Sequence, residues 1–250
     1  MKKFLIASVV AIAAVAVSAR ATTIAQWTFE TLATTNAING SLTPGAGNNT
    51  AAVPSDVGTG SALAHHTAAS TYSTPAGDLD PTIAASDAGA TAANASPSIH
   101  SWSSTAWAVG DYYQFQVSTL GLSGIQVEWD QAGSNTGPGQ FVLQYSLNGT
   151  SFTPIGGTHT VPASSWTTTS SQAASFQSES GFAGAVDNQA TVFFRIVDNA
   201  TTSVNGGTTA SGGTDRVDNF TVIAVPEPST ILMVGAGLSM GLMVMRRRRS

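Results

Sequence analysis

Large apolar residues alternate with polar ones along most of the second half of this chain. In "DYYQFQVSTL" the side chains of Tyr113, Phe115 and Val117 are separated by Gln114 and Gln116. In "GIQVEWDQ" Ile125, Val127 and Trp129 alternate with Gln126, Glu128 and Asp130, and in "QFVLQYSLNG" Phe141, Leu143 and Tyr145 share one face. A period of two places each set on one side of a strand, apolar inward and polar outward. Asn148-Gly149 supplies the left-handed pair of a tight hairpin turn, leading into a strand from Ser151 to Ile155. Later strands are predicted in "TVFFRIVD" from Thr191 and "DRVDNFTVIAV" from Asp215. A first strand is predicted in "TTIAQWTFE" from Thr22, with Ile24, Trp27 and Phe29 as its large apolar residues. No helical period is sustained between the two ends, so the pattern predicts an all-β fold, an antiparallel β-sandwich over residues 22–225.

The stretch from Thr31 to Pro97 departs from this pattern. It is dominated by Ala, Thr, Ser, Gly, Asn and Asp, and reads as long low-complexity loops with about two short strands, one of them near Ser61 to His66.

Both ends are apolar and flanked by cations. Lys2 and Lys3 precede an apolar stretch from Phe4 to Val17, and Ala19-Arg20-Ala21 supplies the small-x-small pattern of a signal-peptidase site. This predicts a signal peptide over residues 1–21, export through the Sec route and a mature chain starting near Thr22. At the other end, Ser229 to Met245 carries no charge and is followed by Arg246, Arg247, Arg248 and Arg249. As a helix it would reach about 25 Å, the lower edge of a membrane span, and the arginines would stop transfer on the cytoplasmic side.

Pro226-Glu227-Pro228, an apolar run and an arginine cluster, in that order at the C-terminus, resemble the PEP-CTERM sorting signal of Gram-negative bacteria. The resemblance implies recognition by an exosortase-type processing enzyme at Pro226, Glu227 and Pro228. The chain would be membrane-anchored before processing and then reach the cell surface or extracellular matrix. The strand pattern from Asp111 to Val225 is in turn similar to lectin-type jelly rolls and carbohydrate-binding modules. That resemblance implies a jelly-roll-like sandwich, with a structural calcium at acids where the first and last strands meet, here Glu30 and Asp218.

Charge narrows the choice of partner. Between Thr22 and Val225 there are thirteen acids and only two cations, Arg195 and Arg216, a formal charge of −11. Such a body repels phosphate backbones, which argues against a nucleic-acid partner. The absence of cysteine excludes disulfides, thiol nucleophiles and cysteine-ligated zinc.

The candidate chemistry is sparse. Calcium needs six to eight hard oxygens, and Asp215 and Asn219 could join Glu30 and Asp218. Trp102, Trp107, Trp129, Trp166, Tyr112 and Tyr145 are the aromatics able to stack on sugar rings. Trp129 and Tyr145 continue inward faces, whereas Trp102, Trp107 and Trp166 lie in Ser/Thr-rich segments and are the stacking candidates. Glu128 and Asp130 alternate outward on one strand, with nothing that marks them as a glycosidase pair. Adjacent His65 and His66 would point to opposite faces and cannot chelate one ion. The expectation is a non-enzymatic exported protein, structural or adhesive within the envelope or exopolysaccharide, or alternatively a carbohydrate-binding module of the jelly-roll type.

Overall fold

The computed structural model describes residues 21–29, 52–73, 101–163 and 176–224, with the backbone alone at 72 and 73. All of them fall within one compact unit, Ala21–Val225. The two apolar ends lie outside the described residues, as do Glu30, Trp166, Pro226, Glu227, Pro228 and Arg246 to Arg249. Among the described residues no helix is long and apolar enough to cross a membrane.

The described residues form thirteen strands: β1 (Thr22–Trp27), β2 (Val53–Pro54), β3 (Val57–Gly58), β4 (Gly60–His65), β5 (Tyr72–Ser73), β6 (Trp102–Ser104), β7 (Tyr112–Val117), β8 (Ile125–Gly133), β9 (Gln140–Ser146), β10 (Thr153–Thr160), β11 (Phe176–Glu179), β12 (Val192–Asp198) and β13 (Asp215–Ala224). Sheet A runs β11-β8-β13-β1-β3, with β6 also paired to β13 and β5 to β6; sheet B runs β10-β9-β12-β7-β4-β2. Every strand pairing is antiparallel. From β7 onward the chain changes sheet at nearly every connection, the exception being the β9–β10 hairpin. The expected antiparallel sandwich is therefore the fold.

The core lies where the two inner faces meet. Phe115 of β7 stacks on Phe220 of β13 across the sheets, centroids 3.6 Å apart, and Trp27 of β1 packs edge-on against both. Phe194 and Trp129 lean on Phe220 from either sheet. Burying an aromatic of this size contributes about 2–3 kcal/mol each. Asp56 ends β1, because its carboxylate accepts the N–H groups of Thr28 and Phe29, both at 2.9 Å. Phe29 turns there with φ of 59° and drops into the core.

Strict alternation fails once in β13, and the failure has a purpose. Val217 and Phe220 are both fully buried although three residues apart, a spacing that would put them on opposite faces of a regular strand. A register shift between Asp218 and Thr221, with Asn219 at φ 49°, corrects the phase.

The Asn148-Gly149 pair behaves differently from a two-residue hairpin. Only Gly149 has positive φ, and six residues separate β9 from β10. Asn148 Oδ1 instead accepts the N–H groups of Thr150 and Ser151, so an Asx turn organises a wider loop.

Candidate functional site

The outer face of sheet B follows from the same alternation that builds the core. With Tyr113, Phe115 and Val117 turned inward, Tyr112, Gln114 and Gln116 point out. Strand register aligns them with their neighbours in rows. Leu63, Gln114, Arg195, Gln144 and Pro154 form one row, and Ser61, Gln116, Phe193 and Ser146 form the next. His65, Tyr112, Val197 and Val142 form a third.

At the centre of these rows stands a stack of planar groups. The Arg195 guanidinium lies 3.8 Å from the Tyr112 ring centroid and 3.5 Å from that of Phe152. His65 stacks on Tyr112 at 5.2 Å. Cation–π attraction holds the arginine between the two rings. Its Nε donates to Gln114 Oε1 at 2.8 Å, which fixes the rotation of the fork. Burial lowers the Arg195 pKa from its usual value, and the Tyr112 hydroxyl acts against that shift. Around the stack lie the amides of Gln114, Gln116 and Gln144 and the half-buried ring of Phe193. The face thus presents aromatic carbon interleaved with neutral donors and acceptors. That combination suits a ligand with apolar ring faces and many hydroxyls.

The tryptophans lie elsewhere. Trp102 is wholly buried, packed on Tyr113 at 5.1 Å and Phe29 at 5.7 Å. Trp107 is 7% exposed, donates from Nε1 to the Ser104 carbonyl at 3.0 Å, and packs on His66, Tyr113 and Phe141. Neither offers a face on which a sugar could stack. Their Ser-rich neighbours disguise them: β6 extends sheet A beside β13, and Ser104 is buried there with its Oγ 2.8 Å from the Tyr113 hydroxyl. Trp129 is buried as its alternation predicts, and Tyr145 packs half-buried against Phe182. Tyr112 is the aromatic candidate that the fold brings to an accessible sheet face, and its partners Arg195, Phe152 and His65 carry no local signal in the sequence.

Sheet A gathers the acids. Asp130 and Asp218 are directly opposed on β8 and β13, and both are buried, at 2% and 1% exposure. Asp130 therefore differs from its expected outward, solvated position. Asn219 joins them through the bulge, donating from Nδ2 to Asp130 Oδ2 at 3.2 Å. Asn219 Oδ1 is buried without a hydrogen-bond partner. A cation here would meet oxygens of both carboxylates and satisfy the orphan amide oxygen. Two carboxylates and an amide oxygen are hard donors of the kind calcium takes, so the residues present fit part of such a shell. Among the described residues no three acids or histidines cluster closely enough to hold a metal by themselves. Asp215 lies apart from this pair, hydrogen-bonded to Gln131 Nε2 at 3.1 Å. Burial pushes its pKa far up, against the opposing hydrogen bond from Gln131.

A third polar group is enclosed at one end of the sandwich. Asp111 and His66 are fully buried, with His66 Nδ1 3.4 Å from Asp111 Oδ2. Asp111 also accepts from Thr67 and from the Ala108 N–H. Burial raises its pKa, but these contacts outweigh burial and hold it below the usual value.

Comparison with known proteins finds distant fold-level likenesses for the body and a sorting motif in the tail. The sandwich resembles, at fold level, the CBM22-1 xylan-binding domain of Paenibacillus barcinonensis Xyn10C, at 11% identity and a TM-score of 0.32, over 54% of this chain and 79% of that one. It also resembles the K2 cleaved adhesin domain of Lys-gingipain, at 14% identity and a TM-score of 0.30, over 52% and 73%. A third similar structure comes from the carbohydrate-binding modules of the β-sandwich superfamily, at 10% identity and a TM-score of 0.28, over 66% and 73%. A search of curated protein sequences finds no match. Residues 224–249 match the PEP-CTERM protein-sorting motif. The motif marks this chain as an exported protein, anchored in the membrane before an exosortase processes it.

Proposed function

We propose that this chain is a non-enzymatic component of the cell surface or extracellular matrix, structural or adhesive within envelope or exopolysaccharide, and that its sandwich holds polysaccharide on the outer face of sheet B. The observation that carries the reading is the row of Gln114, Arg195 and Gln144 beside Tyr112, Phe152 and Phe193, on a face whose strands hold few charges. Export by a cleaved Sec signal, with a C-terminal helix in the membrane, brings the body to the compartment where polysaccharide is assembled. The likeness to a xylan-binding domain agrees with this reading without carrying it. A calcium ion held by Asp130, Asp218 and Asn219 would brace the β8–β13 pair on the other sheet.

Affinity electrophoresis of the full chain in detergent, through gels containing a panel of bacterial and plant polysaccharides, tests the proposal. The expected result is retardation by at least one polysaccharide, weakened about tenfold by Tyr112→Ala or Gln144→Ala, a loss of about 1.4 kcal/mol. Unretarded migration across the panel would remove the carbohydrate-binding reading and leave a purely structural role.

A further inference from the structure

Charge is distributed unevenly between the two sheets. The strands of sheet A carry Glu128, Asp130, Glu179, Asp215 and Asp218, with Arg216 as their one cation. Those of sheet B carry one acid, Asp198, which is buried at the end of β12, and one cation, Arg195, at the middle of the outer face. Among the described residues no carboxylate lies within ion-pairing distance of Arg195, although thirteen acids and only two cations lie between Thr22 and Val225. Its Nε is committed to Gln114. Its two terminal nitrogens have no hydrogen-bond partner among the described residues and are not among the buried, unsatisfied atoms, so they reach solvent. The clamp of Tyr112 and Phe152 removes most of the freedom that an arginine loses on binding. A preorganised guanidinium with a free edge of N–H donors is the group that takes a carboxylate in a two-pronged hydrogen bond.

From this we infer that sheet B selects acidic polysaccharide, with the carboxylate of a uronic acid residue seated on the terminal nitrogens of Arg195. The inference rests on the outer face of sheet B being the glycan-binding face. The neighbouring amides of Gln116 and Gln144 then meet hydroxyls of the same and adjoining sugars, and Glu128 and Glu179, the acids on the strands of sheet A that are not fully buried, disfavour the anionic chain there.

The test compares alginate, polygalacturonate and hyaluronate with their carboxyl-reduced, neutral counterparts, using the full chain in detergent at low and high salt. At least one acidic polymer is expected to bind about tenfold more tightly than its reduced form at low salt. That advantage should shrink with added salt and fall close to unity in Arg195→Gln. Arg195→Lys, which keeps the charge without the fork, should retain only part of it. If reduced and acidic forms bind wild type equally, the acid preference is overturned while the glycan face stands. If no polymer of either kind binds, both readings fall. Should Arg195→Gln not fold, the comparison of acidic with reduced polymer on wild type decides alone.

Discussion

Asp198 closes β12 with 1% exposure, its carboxylate accepting the Ala200 N–H at 3.2 Å. Burial pushes its pKa up to about 6, the Ala200 hydrogen bond opposes that rise, and the Asp111 charge adds to it. An acid whose folded pKa lies above its unfolded value binds its proton more tightly in the native state. It therefore costs stability above about pH 6, and the cost fades as pH falls toward the unfolded value near 4. Asp198→Asn should raise stability at pH 8 by on the order of 2 kcal/mol and change little near pH 4, as read from urea melts across pH. Asp111 works in the opposite sense, since its lowered pKa gives stability that is lost in stronger acid. Trp102 shows what residue-level reading of the sequence misses. Its Ser neighbours suggest a loop, yet Trp102→Ala should cost about 3–5 kcal/mol, because a cavity would open beside Tyr113 and Phe29.

At the scale of elements, the long alternating strands were legible because one face of each is buried. β7, β8, β9, β12 and β13 appear close to where alternation places them. The short strands β2, β3, β5, β6 and β11 were not legible, because pieces of two to four residues carry too few positions to show a period. The bulge in β13 was hidden for a related reason: "RVDNFTV" reads as a regular strand until the core demands both Val217 and Phe220. Asn219 is a residue that tolerates φ of 49°, so Asn219→Gly should be mild. Asn219→Val should cost more, about 1–2 kcal/mol beyond the lost hydrogen bond to Asp130. If calcium braces β8 against β13, EGTA should lower the melting temperature of wild type and have little effect on Asp218→Asn. An unchanged wild-type melt would remove the ion from the account.

Across the whole molecule, the tail and the body answer different questions. The tail's three parts are a linear signal read by another protein, so they were legible without a fold, and residues 224–249 match the sorting motif. The proposed binding face is not linear. Tyr112, Phe152, Arg195 and His65 come from four separate stretches, and strand register with the β9–β10 loop assembles them. Composition shows only that Arg195 is rare; the fold supplies its position on the sheet poor in acids. On the proposed function, the sandwich has one sheet rich in acids and one whose strands carry Arg195 as their one cation, and it meets polysaccharide by the latter. The most direct test is an NMR titration of the aromatic resonances with a polysaccharide that retards the protein. Shifts at Tyr112, Phe152 and Phe193, with the buried Trp27, Trp102 and Trp129 indoles unmoved, are the predicted result. Shifts confined to residues of sheet A or to the strand edges, with Tyr112 and Phe193 silent, would contradict it.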